Sequence, residues 1–153
     1  METGSRRRTV RLVAAVLCSL AGATALVSSA FGEWADRRDG IDIPLDALWQ
    51  RLGSDATEPL ASLFVPLAVA AVLALVGVGT GVRVVVALAM LVGLATAGLF
   101  LLEQSRGATA FDQFHQGLTN AAGGTLLLFV SVLLLPGRAY RSVPSGSAGP
   151  GQR

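Results

Sequence analysis

Four long stretches of uncharged, mostly apolar residues dominate the chain, at 12–32, 60–82, 84–102 and 117–137. Each is about 20 residues long, the length of α-helix that crosses the roughly 30 Å hydrocarbon core of a bilayer. Charged or turn-forming residues flank each stretch. The pattern therefore predicts four membrane-spanning helices.

Arg83 is the one charged residue between Pro59 and Leu102. A single helix over 60–102 would be roughly 65 Å long, about twice the thickness of the hydrocarbon core. The glycines of GVGTGVR (77–83) favour a tight turn, because glycine adopts left-handed conformations without strain. Burial of the arginine at the bilayer centre would cost at least about 2.5–3.5 kcal/mol. We therefore expect two helices joined by a hairpin, with Arg83 at the membrane surface.

The first predicted outer loop, 33–59, contains a short amphipathic pattern. Its apolar residues recur at helical spacing, at Leu45, Leu48, Trp49 and Leu52. Pro44 suits the first position of a helix and Gly53 suits its end. Such a helix either lies on the outer membrane surface with Trp49 at headgroup level, or docks a partner or lipid over the bundle. Trp34, just after the first span, is either an interfacial anchor or part of the same contact surface.

The second predicted outer loop, 103–116, holds the single histidine, His115. Phe111, Phe114, His115 and Leu118 share helical spacing, so we expect the fourth helix to begin near Thr109 with aromatic residues at the interface. Phe111, Phe114 and His115 complete the candidate contact surface. A lone histidine at a wet boundary is an ordinary polar group, and a metal site there would need ligands from the first loop.

The acidic residues of the first loop do not form a metal-binding motif. Asp36, Asp39, Asp42 and Asp46 lack the alternating D-x-D-x-D-G spacing of a calcium loop. Cys18 is alone, which excludes an intrachain disulfide and a Cys-x-x-Cys pair. No catalytic motif is present, so we expect no metal, no cofactor and no enzymatic activity. An enzyme that uses these acids at the outer surface is a third hypothesis, ranked below an interaction protein and a transporter.

Small residues recur every four positions within the spans and predict close helix packing. The candidate packing positions are Gly22, Ala89, Gly93, Ala97 and Gly124. They bring helices together either within one chain or between the chains of a homo-oligomer. The spans hold no carboxylate, histidine or arginine at depth, which argues against a proton- or ion-coupled transporter.

Composition and charge set the environment. Of 153 residues, 52% are hydrophobic and 14% are charged, against about 25% charged in a soluble domain. All 12 basic residues are arginine, which indicates a G+C-rich genome, and outside the tails they form no face that would bind nucleic acid. With both ends in the cytoplasm, eight arginines lie inside and four outside, as the positive-inside rule requires.

The two ends of the chain allow further predictions. Residues 12–27 followed by small residues at 28–30 are also compatible with a cleaved signal peptide, but we expect a retained helix because the uncharged run is long. Residues 138–153 include a stretch rich in Ser, Gly and Pro and predict a disordered cytoplasmic tail.

The order of parts is an arginine-rich start, a Trp-bearing outer segment, the hairpin GVGTGVR and a last span AAGGTLLLFVSVLLLPGR. It resembles small four-helix membrane proteins of G+C-rich bacteria, such as the tryptophan-associated transmembrane protein family. The resemblance implies an inner-membrane location and transfers no catalytic residues.

We therefore predict an all-α integral membrane four-helix bundle with a short amphipathic helix in the first outer loop. The leading hypothesis is a non-enzymatic accessory or interaction protein that contacts lipid and an envelope or membrane protein. A small oligomeric transporter or channel subunit is the alternative.

Overall fold

The computed structural model describes residues 2–35, 37–50, 58–106 and 116–135, with side chains described from Arg6 onward. Within these ranges it contains the helices α1 (Glu2–Ser29), α2 (Phe64–Thr80), α3 (Arg83–Ser105) and α4 (Gln116–Leu134). In this part of the chain α1, α3 and α4 are long and apolar enough to cross a membrane, and the apolar α2 is shorter. The three long apolar helices indicate a membrane protein.

The four helices pack as a bundle in which each one contacts two others. α1 packs against α2 and α4, and α3 packs against the same two helices on the other side. Leu26, Leu67, Ala89 and Leu128, one from each helix, are fully buried in the shared core. Many leucine and valine side chains on the outer faces are exposed, as in Leu91 and Leu126. A helix that is apolar on all sides fits an apolar solvent around the bundle.

α2 begins at Phe64, later than the predicted start of the second span at residue 60. Residues Pro59–Ala61 form a 3₁₀ turn instead. The Ser62 hydroxyl donates to the carbonyl oxygen of Pro59 at 2.7 Å and accepts the main-chain N–H of Phe64 at 3.2 Å. Pro66 therefore lies in the first turn of α2, where its missing N–H has no intrahelical acceptor to lose. The 17 residues of α2 span about 25 Å.

The predicted hairpin between α2 and α3 is confirmed. Gly81 has a φ of 67° and follows the last residue of α2. Its N–H donates to the carbonyl oxygen of Val78 at 3.2 Å, and the N–H of Val82 donates to that of Gly77 at 2.9 Å. This pair of bonds is a Schellman motif, which satisfies the last carbonyl groups of a helix. Arg83 is exposed at the first position of α3.

The segment between α1 and α2 folds over one end of the bundle, and we call residues 33–50 and 58–63 the cap. Strands β1 (Glu33–Ala35) and β2 (Arg38–Asp39) form a small antiparallel hairpin. Short 3₁₀ helices follow at Gly40–Asp42 and Leu45–Leu48. The bundle is therefore not purely α-helical at this end.

The short amphipathic helix predicted to begin at Pro44 is found only in part within the described residues. Leu45–Leu48 is a single 3₁₀ turn, and Pro44 precedes it in an extended conformation. Residues 43 and 44 are extended because they pair with the last residues of the cap. Pro44 forms an antiparallel bridge with Ser62, and the N–H of Leu63 donates to the carbonyl oxygen of Ile43 at 3.0 Å. This pairing holds the chain extended just where a helix would have to begin. Residues 51–57, including Leu52 and Gly53, lie outside the described residues.

Candidate functional site

Trp34 attaches the cap to the bundle and is not part of an exposed contact surface. Its side chain is 0% exposed. The indole N–H donates to the main-chain carbonyl oxygen of Ser29 at 2.7 Å, near the end of α1. The ring meets Phe100 of α3 edge to face, with centroids 5.2 Å apart and planes at 84°. The predicted interface role of Trp34 is thus corrected, because a large aromatic ring with its polar group satisfied is stable in a packed interior.

Two glycines make the room for this indole. A Cβ on Gly40 would lie 2.9 Å from Nε1 of Trp34, and a Cβ on Gly117 of α4 would collide with Cδ1 of the same ring. Gly40 lies six residues after Trp34 within the cap, whereas Gly117 lies on α4, 83 residues away along the chain. No local pattern in the sequence could have identified this pocket.

The apolar residues of the first loop mostly cover the end of the bundle. Ile43, Ala47 and Leu63 are buried, and Leu45 and Leu48 are half-buried against the same core. The amide of Gln104, near the end of α3, reaches the carbonyl oxygen of Ala47 at 3.5 Å, the long limit of a hydrogen bond. The cap is therefore a packed layer in which most of the predicted apolar stripe faces inward.

Trp49 and Leu60 are large apolar side chains that are exposed on the cap. Trp49 is 61% exposed, directly after the Leu45–Leu48 turn, and Leu60 is 81% exposed. The exposed acidic side chains of the cap are Glu33, Asp42, Asp46 and Glu58, and Arg37 is exposed as well. At this end Glu103 also forms an ion pair with Arg106 at 3.2 Å. The exposed surface of the cap thus combines an indole with a surplus of carboxylates.

Several predicted contact residues cannot be placed on this surface. Leu52, Phe111, Phe114 and His115 lie outside the described residues, as does the predicted start of the fourth helix near Thr109. Asp36 is likewise outside them. The described part of the candidate surface therefore consists of Trp49 with its acidic neighbours, supported from below by Leu45 and Leu48.

The predicted helix-packing positions face other helices of the same chain. A Cβ on Gly22 would lie 2.9 Å from the carbonyl oxygen of Gly124, and a Cβ on Gly124 would lie 2.9 Å from that of Gly22. A Cβ on Gly93 of α3 would meet the Thr125 hydroxyl at 3.0 Å. Ala89 and Ala97 of α3 are buried as well. Small residues here allow the backbones of α1 and α4 to approach closely.

The polar groups inside the bundle are neutral and paired. Among the described residues the buried polar side chains are hydroxyls and one amide, at Ser19, Ser29, Ser62, Thr96, Gln104, Thr125 and Ser131. The hydroxyl oxygens of Ser19 and Ser131 lie 2.6 Å apart, between α1 and α4. Within the same ranges no buried side-chain polar atom lacks a partner. The described interior thus offers hydrogen-bonded packing and no titratable group for proton transfer.

An apolar groove of about 520 Å³ runs between α1 and α2 on the side of the bundle. Leu20, Phe31 and Leu75 are among the residues that line it. Its hydroxyl groups are turned to their own helix, because Thr24 donates to the carbonyl oxygen of Leu20 at 2.9 Å and Ser28 to that of Ala25 at 3.1 Å. The groove therefore presents a hydrocarbon surface, as expected on a lipid-facing side.

The described residues contain no group of three or more His, Cys, Asp or Glu side chains that could hold a metal ion. The acidic side chains of the cap are spread over its surface and do not converge on one point in these ranges. Comparison of the chain with protein-family models, with curated proteins and with solved structures finds no match.

Proposed function

We propose that the protein is a four-span protein of the bacterial cell membrane whose cap faces outward and contacts a protein partner in the membrane or envelope. Both ends of the chain then lie in the cytoplasm. The three long apolar helices support the membrane location, and α2 supports a fourth crossing. Its 17 residues are apolar and cover about 25 Å, most of the roughly 30 Å of the hydrocarbon core. The architectural likeness to the tryptophan-associated family supports the same assignment.

The exposed indole of Trp49 on a firmly packed cap carries this proposal. Tryptophan is enriched among the residues that dominate protein–protein binding energy, because it brings a large rigid surface. The backbone that holds Trp49 is ordered before any partner arrives, since Ile43 and Leu63 bury this layer against the bundle. Little conformational entropy would be lost on binding. The exposed carboxylates of the cap favour a partner with basic groups.

The interior of the bundle gives less support to the transporter or channel alternative. Its described core is filled by side chains such as Leu26, Leu67 and Phe100, and its hydroxyl groups are bonded to one another or to main-chain carbonyl groups. The packing glycines Gly22 and Gly124 are used within the chain. A transport path between the chains of an oligomer would have to use helix faces other than those that hold Gly22 and Gly124.

Site-specific photocrosslinking in native membranes tests the proposal. A photoreactive residue at Trp49 should give one discrete protein adduct, and the Asp42→Asn/Asp46→Asn double change should weaken it by removing negative charge from the cap. A matched probe at Leu126, which is 63% exposed on α4, should give lipid adducts only. Lipid adducts alone at both positions would contradict a protein partner and would make Trp49 an interfacial anchor.

A further inference from the structure

The first turns of α1 carry a group of exposed arginines beyond the apolar part of the helix. Arg6, Arg7, Arg8 and Arg11 are all exposed. Val10, which is 61% exposed, and the aliphatic stems of Arg6, Arg7 and Arg11 line a shallow, almost wholly apolar concave surface. Within the part of the chain that the structure describes, none of the four arginines forms an ion pair. We call Arg6, Arg7, Val10 and Arg11 the arginine crescent.

The depth of the arginine crescent is set by the continuity of α1. The contact of α1 with α4 reaches Ala15, whose carbonyl oxygen accepts the Ser131 hydroxyl at 2.9 Å. The helix continues from there to Glu2 without interruption. Leu12 is the first residue of the uncharged run, so Arg11 lies about 1.5 Å and Arg6 about 9 Å outside it along the axis. The headgroup layer on each side of a bilayer is roughly 5–7 Å thick. In a bilayer whose hydrocarbon core begins at Leu12, the backbone of Arg11 would lie within this layer and that of Arg6 just beyond it, within reach of a long arginine side chain.

The spacing of the arginines suits a phosphate group. Arg7 and Arg11 are four residues apart on one face of α1, where side chains are neighbours at about 5–6 Å between Cβ atoms. Guanidinium groups bind phosphate oxygens through two parallel N–H donors, and they remain charged at all physiological pH values. Val10 adds an apolar contact beside them, where the glycerol end of an acyl chain would lie.

We propose that the arginine crescent binds the phosphate headgroup of an anionic phospholipid in the leaflet that surrounds this end of the bundle. The site would fix a lipid beside α1 and hold this helix at a defined depth. The proposal rests on the membrane embedding proposed above, but it does not depend on a partner at the cap, which lies at the opposite end of α1.

Lipid retention by the purified full-length protein tests this site. After extraction in mild detergent and mixing with equal amounts of phosphatidylglycerol and phosphatidylcholine, native mass spectrometry should show preferential retention of phosphatidylglycerol. Each arginine that contacts the bound headgroup contributes about fivefold to its binding, so Arg7→Gln/Arg11→Gln should weaken retention about thirtyfold. Arg83→Gln removes an exposed arginine that lies outside the arginine crescent, so it should change retention at this site by less than about twofold. Circular dichroism should show the same helix content in all variants.

Three results would overturn the assignment. Equal retention of the two lipids by the wild-type protein would show that the crescent has no headgroup preference. A loss of lipid retention in Arg83→Gln as large as that in Arg7→Gln/Arg11→Gln would show that retention depends on overall charge and not on this site. Displacement of the lipid by inorganic phosphate at about 10 mM would identify a free-anion site in place of a lipid site. The photocrosslink from Trp49 should be unchanged in Arg7→Gln/Arg11→Gln, so failure of this site and failure of the cap proposal are distinguishable.

Discussion

The hydroxyl oxygens of Ser19 and Ser131 form a hydrogen bond of 2.6 Å across the contact between α1 and α4. Ser131 has one hydroxyl proton, which it donates to the carbonyl oxygen of Ala15 at 2.9 Å. Ser19 is therefore the donor of the pair and Ser131 its acceptor. The three groups form a short directed chain of hydrogen bonds inside an otherwise apolar contact. Because of this direction, the two serine hydroxyls should contribute different amounts to the stability of the bundle.

Removal of the Ser131 hydroxyl should destabilise the bundle more than removal of the Ser19 hydroxyl. Ser131→Ala breaks two hydrogen bonds and leaves a buried donor without its acceptor, which should cost about 1–2 kcal/mol. Ser19→Ala leaves the bond from Ser131 to Ala15 intact and should cost about 0.5–1 kcal/mol. Reversible unfolding in mixed micelles measures both free energies, and the double variant should cost less than the sum. A larger loss for Ser19→Ala than for Ser131→Ala would contradict this direction of donation.

The neighbouring glycines Gly123 and Gly124 should respond in opposite ways to the same methyl group. A Cβ on Gly124 would lie 2.9 Å from the carbonyl oxygen of Gly22 and 3.1 Å from the main-chain nitrogen of Leu26. Because backbone atoms cannot give way as a flexible side chain does, Gly124→Ala should destabilise the bundle by about 1–3 kcal/mol. A Cβ on Gly123 meets nothing within 4 Å, so Gly123→Ala should be neutral or stabilise by up to about 1 kcal/mol.

Thermal unfolding of the two variants in the same detergent gives the comparison, and the matched pair removes the common effect of helix propensity. Equal midpoints for Gly124→Ala and the wild-type protein would show that α1 and α4 do not approach as closely as described. If Gly124→Ala weakened oligomer formation and left the unfolding midpoint of the single chain unchanged, Gly124 would instead lie at a contact between chains.

The two tryptophans should differ sharply in their access to water-soluble quenchers. Trp49→Phe leaves Trp34, which is fully buried and hydrogen-bonded to Ser29. Trp34→Phe leaves Trp49, which is 61% exposed. We expect blue-shifted emission with little acrylamide quenching in the first variant, and red-shifted emission with strong quenching in the second. Equal quenching constants would mean that the cap does not pack over the bundle. Trp34→Phe should also cost about 0.5–1.5 kcal/mol, because the carbonyl group of Ser29 loses its indole donor and keeps only the N–H of Gly32 at 3.2 Å.

The amino-acid sequence predicts the helices well and the cap poorly, for one physical reason. A span and a hairpin are encoded by local quantities: the length of an uncharged run, and a glycine where a left-handed residue is needed, as at Gly81. The cap depends on contacts between distant positions. The ring of Trp34 has room because Gly117 of α4 lacks a side chain, and Pro44 is extended where it pairs with Ser62. A pattern of apolar spacing contains neither contact.

The orientation of the bundle remains the prediction on which the outward-facing role of the cap depends. The hairpin between α2 and α3 and the cap lie at opposite ends of α2, so they must face opposite sides of the membrane if this helix crosses it. The arginine distribution predicts that the hairpin lies in the cytoplasm. In a Cys18→Ala background, cysteine at Asp46 should therefore react with an impermeant thiol reagent in intact cells, whereas cysteine at Thr80 should react only after the membrane is opened. Both side chains are exposed, so burial does not explain a difference. Labelling of the Thr80 position alone would invert the orientation. The cap, with Trp49 and its exposed carboxylates, would then lie in the cytoplasm, and its partner would have to be a cytoplasmic protein.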